Sequence, residues 1–526
     1  MLRLRHAAIV SAVALPTLAG AFLHEQRATR DSARLFDQVL TLVSDKFVDT
    51  VGNGALYEKA ARGLVRELQD PYAALYSPKQ LAEFTATTGG RYGGLGMLVE
   101  DQQGTTVVSR VYPHTPAENA GVMEGDHIIA VETQSVRGWK LPQVTDALKG
   151  SPGTQVNVTF ARSGVAAPIA VRFTRAVIHI PAVPYAIMLD GKIGYIPVLQ
   201  FNETSGDETE AAVRRLTKEG ARGLVIDLRG NGGGIVDQAI SMSNLFLHEG
   251  QEIASVRGRG GDVQRYVARE KPVAPSVPLV VLQDGYTASA SEIVTGALQD
   301  HDRALVVGTT SFGKGLVQSL FQLDGGWALK LTTAKWYTPS GRSIQKDRKF
   351  VDGKLVETVD SLETDSVKLS RPAYKSDAGR VVYGGGAITP DVVVQPDTLT
   401  TAEQQFLKAV TPKSQDFYVT LYNYAMELKG TVRPEFTVLP TWRDELYRRL
   451  IAAGVPVDRQ LYDGATPEVN RLLGDRVARF AFGDSTAKRR EIADDEQLSH
   501  ALDIIRKTTT QQDLFVTAQR SASSSR

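Results

Sequence analysis

The spacing of apolar positions changes several times along this chain, and each change predicts a different kind of element. Between 29 and 84, apolar residues recur at intervals of three and four, as in Leu35, Phe36, Val39, Leu40 and Val43, which predicts a helical arm. Asp70-Pro71-Tyr72 interrupts it, and Ser77-Pro78 opens a second helix, with serine at the cap and proline where no amide donor is needed. From 89 to 175 the period falls toward two. Segments at 97–100, 106–111, 155–160 and 169–173 read as short strands, Gly125 to Val131 as a turn and strand, and helices fit at 115–121 and between Lys140 and Gly150. That order predicts a small barrel of strands with two helices. From 177 onward strands and helices alternate. The strands at 194–198, 223–229, 278–282 and 305–307 are apolar on both faces, the signature of a mainly parallel sheet covered on both sides. Helices fall at 202–218, 235–247 and 289–300. A strand pair then spans 316–322 and 327–337 around Asp324-Gly325-Gly326, and the polar stretch 351–380 reads as an inserted loop or hairpin. Beyond 398 the pattern is that of charged amphipathic helices, for example 494–507, and the Ser-rich end from Ala518 is expected to be disordered.

A length of 526 residues exceeds one core, so a multi-domain α/β chain is expected. The segments above divide it at 26–88, 89–176, 177–397 and 398–526. Residues 1–25 form a separate piece: Arg3, Arg5 and His6 precede an apolar run at 7–23, and Ala19-Gly20-Ala21 has the small-x-small form of a signal-peptidase site. This predicts export, with the segment either cleaved or kept as a membrane anchor. Lys and Arg number 60 against 59 Asp and Glu, so the charge balance does not point to nucleic acid. With no cysteine in the chain, disulfides, thiol catalysis and cysteine metal sites are excluded.

Candidate chemistry concentrates in 287–318. Thr287-Ala288-Ser289-Ala290-Ser291-Glu292 is a small-residue turn ahead of a helix, where a serine hydroxyl can be presented at the positive end of the helix dipole. Ser289 needs a base to act as a nucleophile. His301 lies twelve residues on along the same helix, roughly 18 Å away by helical rise, and is excluded as that base. Lys314, between Gly313 and Gly315, is the better candidate, and Gln318 shares its face if the segment is a strand. Ser289 with Glu292 is equally a capping box, and Lys314 taken alone is equally a solvated loop lysine. Asp300, roughly 16 Å along the helix from Ser289, reads as a structural anchor.

The Ser-Ala-Ser-Glu-Ile run at 289–293, Gly313-Lys314-Gly315 with Val317-Gln318, and the separation of Ser289 from Lys314 together resemble the carboxyl-terminal processing peptidases, or tail-specific proteases. The resemblance implies a serine endopeptidase with Ser289 as nucleophile, Lys314 as general base and Gln318 in support. The family's first serine is Thr287 in this chain. Asp227-Leu228-Arg229-Gly230-Asn231-Gly232-Gly233-Gly234 is similar to the family segment that forms part of the oxyanion hole, making the amides of Gly233 and Ala290 the candidate donors. A glycine run after a strand can instead cradle phosphate, but no Walker or dinucleotide fingerprint accompanies it. The mechanism requires a neutral Lys314, which takes burial or a nearby positive field.

The module at 89–176 resembles a PDZ domain, with Gly94-Leu95-Gly96 matching the loop whose amides hold a peptide's terminal carboxylate. The domains implied are then an export segment, a helical arm, a PDZ domain, a protease core at 177–397 and a helical C-terminal extension. The expected partners are protein or peptide substrates with hydrophobic C-termini. An adaptor protein and a homo-oligomer formed through the helical extensions stay open, and the reading calls for no metal or cofactor. Two alternatives stand beside it: an inert PDZ scaffold that binds tails without cleaving them, and an acyl-transfer enzyme on a related fold.

Overall fold

The computed structural model describes residues 30–102, 104–112, 114–162, 165–346, 348–351, 354–357 and 370–524. The export segment expected at 1–25 lies outside them. Among the described residues no helix is long and apolar enough to cross a membrane.

The chain divides into two compact units, the smaller made of Met1–Pro78 and Gln318–Thr332. Its described part holds helices at 30–46 and Asn53–Glu67, and the short strand Ala74–Tyr76 pairs antiparallel with Ala328, Leu329 and Lys330. The periodic apolar face of the first helix stays open to solvent, with Leu35 62% exposed and Phe36 50%.

The larger unit contains three cores. In the first, Met97–Gln102, Thr105–Val111, His127–Val131, Gln155–Ala161 and Ile169–Thr174 form an antiparallel sheet in that order. Every second residue of Gln155–Ala161 turns inward, and Val156, Val158 and Phe160 share one core with Val108, Ile128 and, from helix Leu141–Leu148, Val144 and Leu148. Arg91–Gly94 pairs with Ala176–His179, closing the module where the chain enters and leaves.

The second core is a six-stranded sheet in the order Ile187–Leu189, Ile193–Pro197, Gly223–Asp227, Leu279–Gln283, Leu305–Gly308, Val392–Val393. Only its first pair is antiparallel. Helices Ser205–Lys218, Val236–Asn244 and Ala290–Asp300 cover one face through Val213, Leu216, Ala239, Met242, Ile293 and Val294. Glu496–Ile505 and Gln511–Ser524, from the far end of the chain, cover the other through Leu498, Leu502, Ile505, Leu514 and Ala518. The expectation of disorder from Ala518 is therefore corrected. Leu514 and Ala518 sit one helical turn apart and both bury against the sheet, Ala518 at 4% exposure, in a helix that runs to Ser524, while 525–526 lie outside the described residues.

The third core belongs to the helices Thr401–Val410, Ser414–Leu428, Pro440–Ala452, Arg459–Gly464 and Thr466–Phe482. They pack around Phe406, Phe417, Leu421, Leu450, Tyr462 and Leu473. The stretch read as a loop or hairpin contributes a hairpin, Arg348–Val351 with Lys354–Glu357, while 358–369 lie outside the described residues.

Between the antiparallel module and helix Thr466–Phe482 is a cavity of about 370 Å³, lined by Glu100, Arg110, Glu124, Asp475, Arg476 and Glu491 among others. Burial, together with the charge of Glu491, pushes the Asp475 carboxyl up to about 6. A carboxyl with a raised folded-state pKa binds more protons folded than unfolded between the two values, so this contribution is full below the unfolded value of about 3.9 and is lost as pH climbs through about 6. Asp475→Asn is expected to melt higher than wild type at pH 8, by an amount equivalent to about 2–3 kcal/mol, and to converge with it only below about pH 4, as measured by thermal melts from the lower to the higher pH.

Candidate active site

Strand Leu279–Gln283 ends beside Gly223–Asp227, and the turn that follows is pinned to its neighbour. The Thr287 hydroxyl donates to the Leu228 carbonyl at 2.8 Å, and Asp284 Oδ1 accepts the amides of Tyr286 and Thr287. The chain then turns at Ser289, whose φ of 56° and ψ of −114° lie where L side chains rarely sit. A sharp strand-to-helix turn of this kind projects a hydroxyl clear of the sheet. Ser289 is half-buried at the cap of helix Ala290–Asp300, and every residue of that helix is buried.

A carboxylate in the first turn of a wholly buried helix must find donors, and Glu292 finds four. Its Oε2 accepts the Ser289 amide at 2.8 Å and the Lys314 amide at 2.9 Å. Its Oε1 accepts the Gly313 amide at 2.7 Å and the Ser311 hydroxyl at 2.5 Å. Burial raises its pKa, and those four hydrogen bonds pull the other way. One oxygen thus joins the backbones of Ser289 and Lys314. Lys314 is half-buried, and its carbonyl accepts the Trp336 indole N–H at 3.0 Å. The strand Leu316–Gln322 begins after Lys314, so the face shared by Gln318 and Lys314 does not follow from strand periodicity. Gln318 is half-buried and donates its side-chain amide to the Thr332 hydroxyl at 3.3 Å.

The glycine loop lies against the same turn. The Asn231 carbonyl accepts the Ala288 amide and the Ser291 hydroxyl, each at 3.0 Å, while its side-chain amide donates to the Val198 carbonyl at 2.7 Å. Gly233 has φ +93°, and a Cβ there would stand 2.6 Å from the Ala288 carbonyl and 2.9 Å from the Ala290 nitrogen. Only glycine fits. Its own N–H donates to Asn231 Oδ1 at 2.9 Å. Ala290 is the first residue of its helix, where an amide has no acceptor within the helix.

Asp300 sits at the far end of that helix and accepts from Arg342 Nη2 at 2.7 Å and the Ser340 amide at 3.0 Å, as an anchor should. His301 is held by Asp377 and the Glu252 carbonyl, each at 2.7 Å. In the antiparallel module, Gly94, Leu95 and Gly96 are all buried. The Leu95 carbonyl accepts the Ala117 amide, and the Gly96 carbonyl, at φ +84°, accepts the Tyr112 amide.

Comparison with known proteins gives the family of the chain. Residues 192–353 match the model of peptidase family S41, and residues 107–162 match a PDZ domain. A carboxy-terminal-processing protease of Bartonella bacilliformis is 38% identical over 327 residues, covering 61% of this chain and 74% of that protein. The chain belongs to that family. It is a serine-type peptidase of the carboxy-terminal-processing kind, carrying a PDZ domain and acting on peptides or proteins. The carboxy-terminal processing protease CtpA of Bacillus subtilis is 33% identical over 343 residues, covering 65% of this chain and 73% of that one. A solved photosystem II D1 C-terminal processing protease is 27% identical, covering 69% of this chain and 87% of its own, with a TM-score of 0.37.

For this peptidase, sequence reasoning named Ser289 and Lys314 but gave Glu292 only the capping task. The signal was present: an ionisable residue inside an apolar helical run demands partners. Glu292→Gln turns an amide nitrogen toward backbone donors and leaves at least one of them unpaired, at a cost of about 1–3 kcal/mol. The expected outcome is a lower melting temperature together with a peptidase rate reduced by about 100-fold, read from thermal melts and peptide turnover on the same preparation.

Proposed function

We propose that Ser289 is the nucleophile and Lys314 the general base of this peptidase, with Gln318 supporting the amine. The observation that carries the proposal is the Glu292 oxygen that accepts both the Ser289 and the Lys314 amide. In the reaction, neutral Lys314 Nζ takes the Ser289 Oγ proton as that oxygen attacks the scissile carbonyl. The tetrahedral oxyanion is received by the Ala290 N–H and, once its peptide turns from Asn231, by the Gly233 N–H. Collapse expels the amine with the proton from Lys314, and water then hydrolyses the acyl-serine through the same base.

The proposal extends to how substrates arrive. The amides of the Gly94-Leu95-Gly96 loop receive a terminal carboxylate, and Met97–Gln102, an edge strand among the described residues, pairs with the extended tail of a hydrophobic C-terminus. Domain limits of 26–88, 89–176, 177–397 and 398–526 suit this division of labour. The basic and apolar start at 1–25 supports export to the periplasm or another extracytoplasmic space, with the segment cleaved or kept as an anchor. An adaptor protein and self-association through the helical extensions belong to the same reading.

The test is digestion of unstructured peptides that differ only in their last three residues, by wild type, Ser289→Ala and Lys314→Ala. Wild type is expected to prefer apolar tails, and each variant to lose about 10⁴-fold or more in rate while keeping its fold and its tail binding. Turnover surviving in Lys314→Ala would remove the lysine from its role. Tail binding with no turnover by wild type would leave a scaffold.

A further inference from the structure

Arg229 stands at the end of the strand that leads into the glycine loop, and its guanidinium is fully committed. Nε and Nη2 donate to Asp227 at 2.9 and 2.6 Å. Nη1 and Nη2 donate to the two carboxylate oxygens of Asp495, each at 2.8 Å, and Nη1 also reaches Gln497 Oε1 at 3.1 Å. These contacts occupy all five of its N–H donors. Asp227 in turn accepts the Tyr195 hydroxyl at 2.7 Å.

Asp495 is equally committed. It caps helix Glu496–Ile505 through the Leu498 amide at 3.0 Å and takes Lys488 Nζ at 2.8 Å. Its side chain is 14% exposed and that of Arg229 is 18% exposed, so water competes little for either. Burial opposes its ionisation, but the hydrogen bonds and charges of Arg229 and Lys488 hold its carboxyl well below the usual range.

The planar fork of Arg229 is thus clamped from two sides, one of them supplied by the far end of the chain. Two residues later comes Asn231, whose carbonyl holds Ala288 and Ser291 and whose side chain holds Gly233. The bidentate geometry fixes orientation as well as distance, which a single point charge would not do.

The geometry points to Asp495 as a positioning residue of the active site: through Arg229 it fixes the register of the Gly230–Gly234 loop against the Ser289 turn. This deepens the dyad proposal and rests on it. Asp495 touches no substrate. Its effect falls on the step in which negative charge develops on oxygen, and so on kcat before KM.

The test compares Asp495→Asn, Asp495→Glu and Arg229→Lys with Leu502→Ala, which loosens the same helix without touching Arg229. Peptide kcat and KM, thermal melting, and the labelling rate of the serine by a fluorophosphonate are measured for each full-length chain. The expected result for Asp495→Asn and Arg229→Lys is a kcat lower by about 10- to 100-fold, a KM within about 2-fold of wild type and slower labelling. Asp495→Glu is expected to recover part of the loss, and Leu502→Ala to keep its kcat despite a lower melting temperature. A wild-type kcat in Asp495→Asn, or a kcat in Leu502→Ala that falls as far as its melting temperature predicts, overturns the inference. Ser289→Ala, run beside them, separates the two proposals. Residual cleavage there sinks the dyad, whereas an inactive Ser289→Ala with an unaffected Asp495→Asn sinks only the role of Asp495.

Discussion

A single buried carboxylate organises the catalytic region. Glu292 sits where a helix of entirely buried residues begins, and an ionised side chain there is tolerated only because four donors converge on it. Those donors come from the turn before the helix and from the extended segment of 311–314. Satisfying Glu292 therefore holds together two pieces of chain that are also joined by the Phe312 amide donating to the Thr287 carbonyl at 2.9 Å. The strained φ of Ser289 persists for the same reason, since its own amide is one of the four.

Around this anchor the glycine loop is fitted by exclusion. Gly233 approaches Ala288 and Ala290 so closely that no side chain is admitted, and Asn231 uses its backbone and side chain alike to hold the turn, the loop and the preceding strand. The result is a site made mostly of backbone polar groups. Its precision depends on how rigidly the surrounding strands hold them, and those strands are buried on both faces.

Much of this was legible in the sequence because it is local. The small residues around Ser289, the glycines flanking Lys314 and the apolar runs at 223–228 and 279–282 each state their conformational needs within a few positions. Glu292 was read as a cap because its other partners lie about twenty residues on, in a segment whose approach no periodicity encodes. Arg229 and Asp495 are 266 positions apart, beyond any pattern-based reading. The strand Val263–Val267 was missed because it lies at a sheet edge with mostly exposed side chains, so it lacks the alternation that marks a half-buried strand. The N-terminal helix gives the opposite lesson: its periodicity was clear, yet periodicity says which residues share a face and not whether anything covers them.

The C-terminal helices that cover the second face of the parallel sheet impose an order on biogenesis. While the chain is being synthesised, strands rich in Val, Leu and Ile emerge long before Leu502, Ile505 and Leu514 exist to shield them. That face of the sheet is covered only once those helices have been made. Until then Val225, Val280, Leu282 and Leu305 present an apolar surface that has to be kept from other chains.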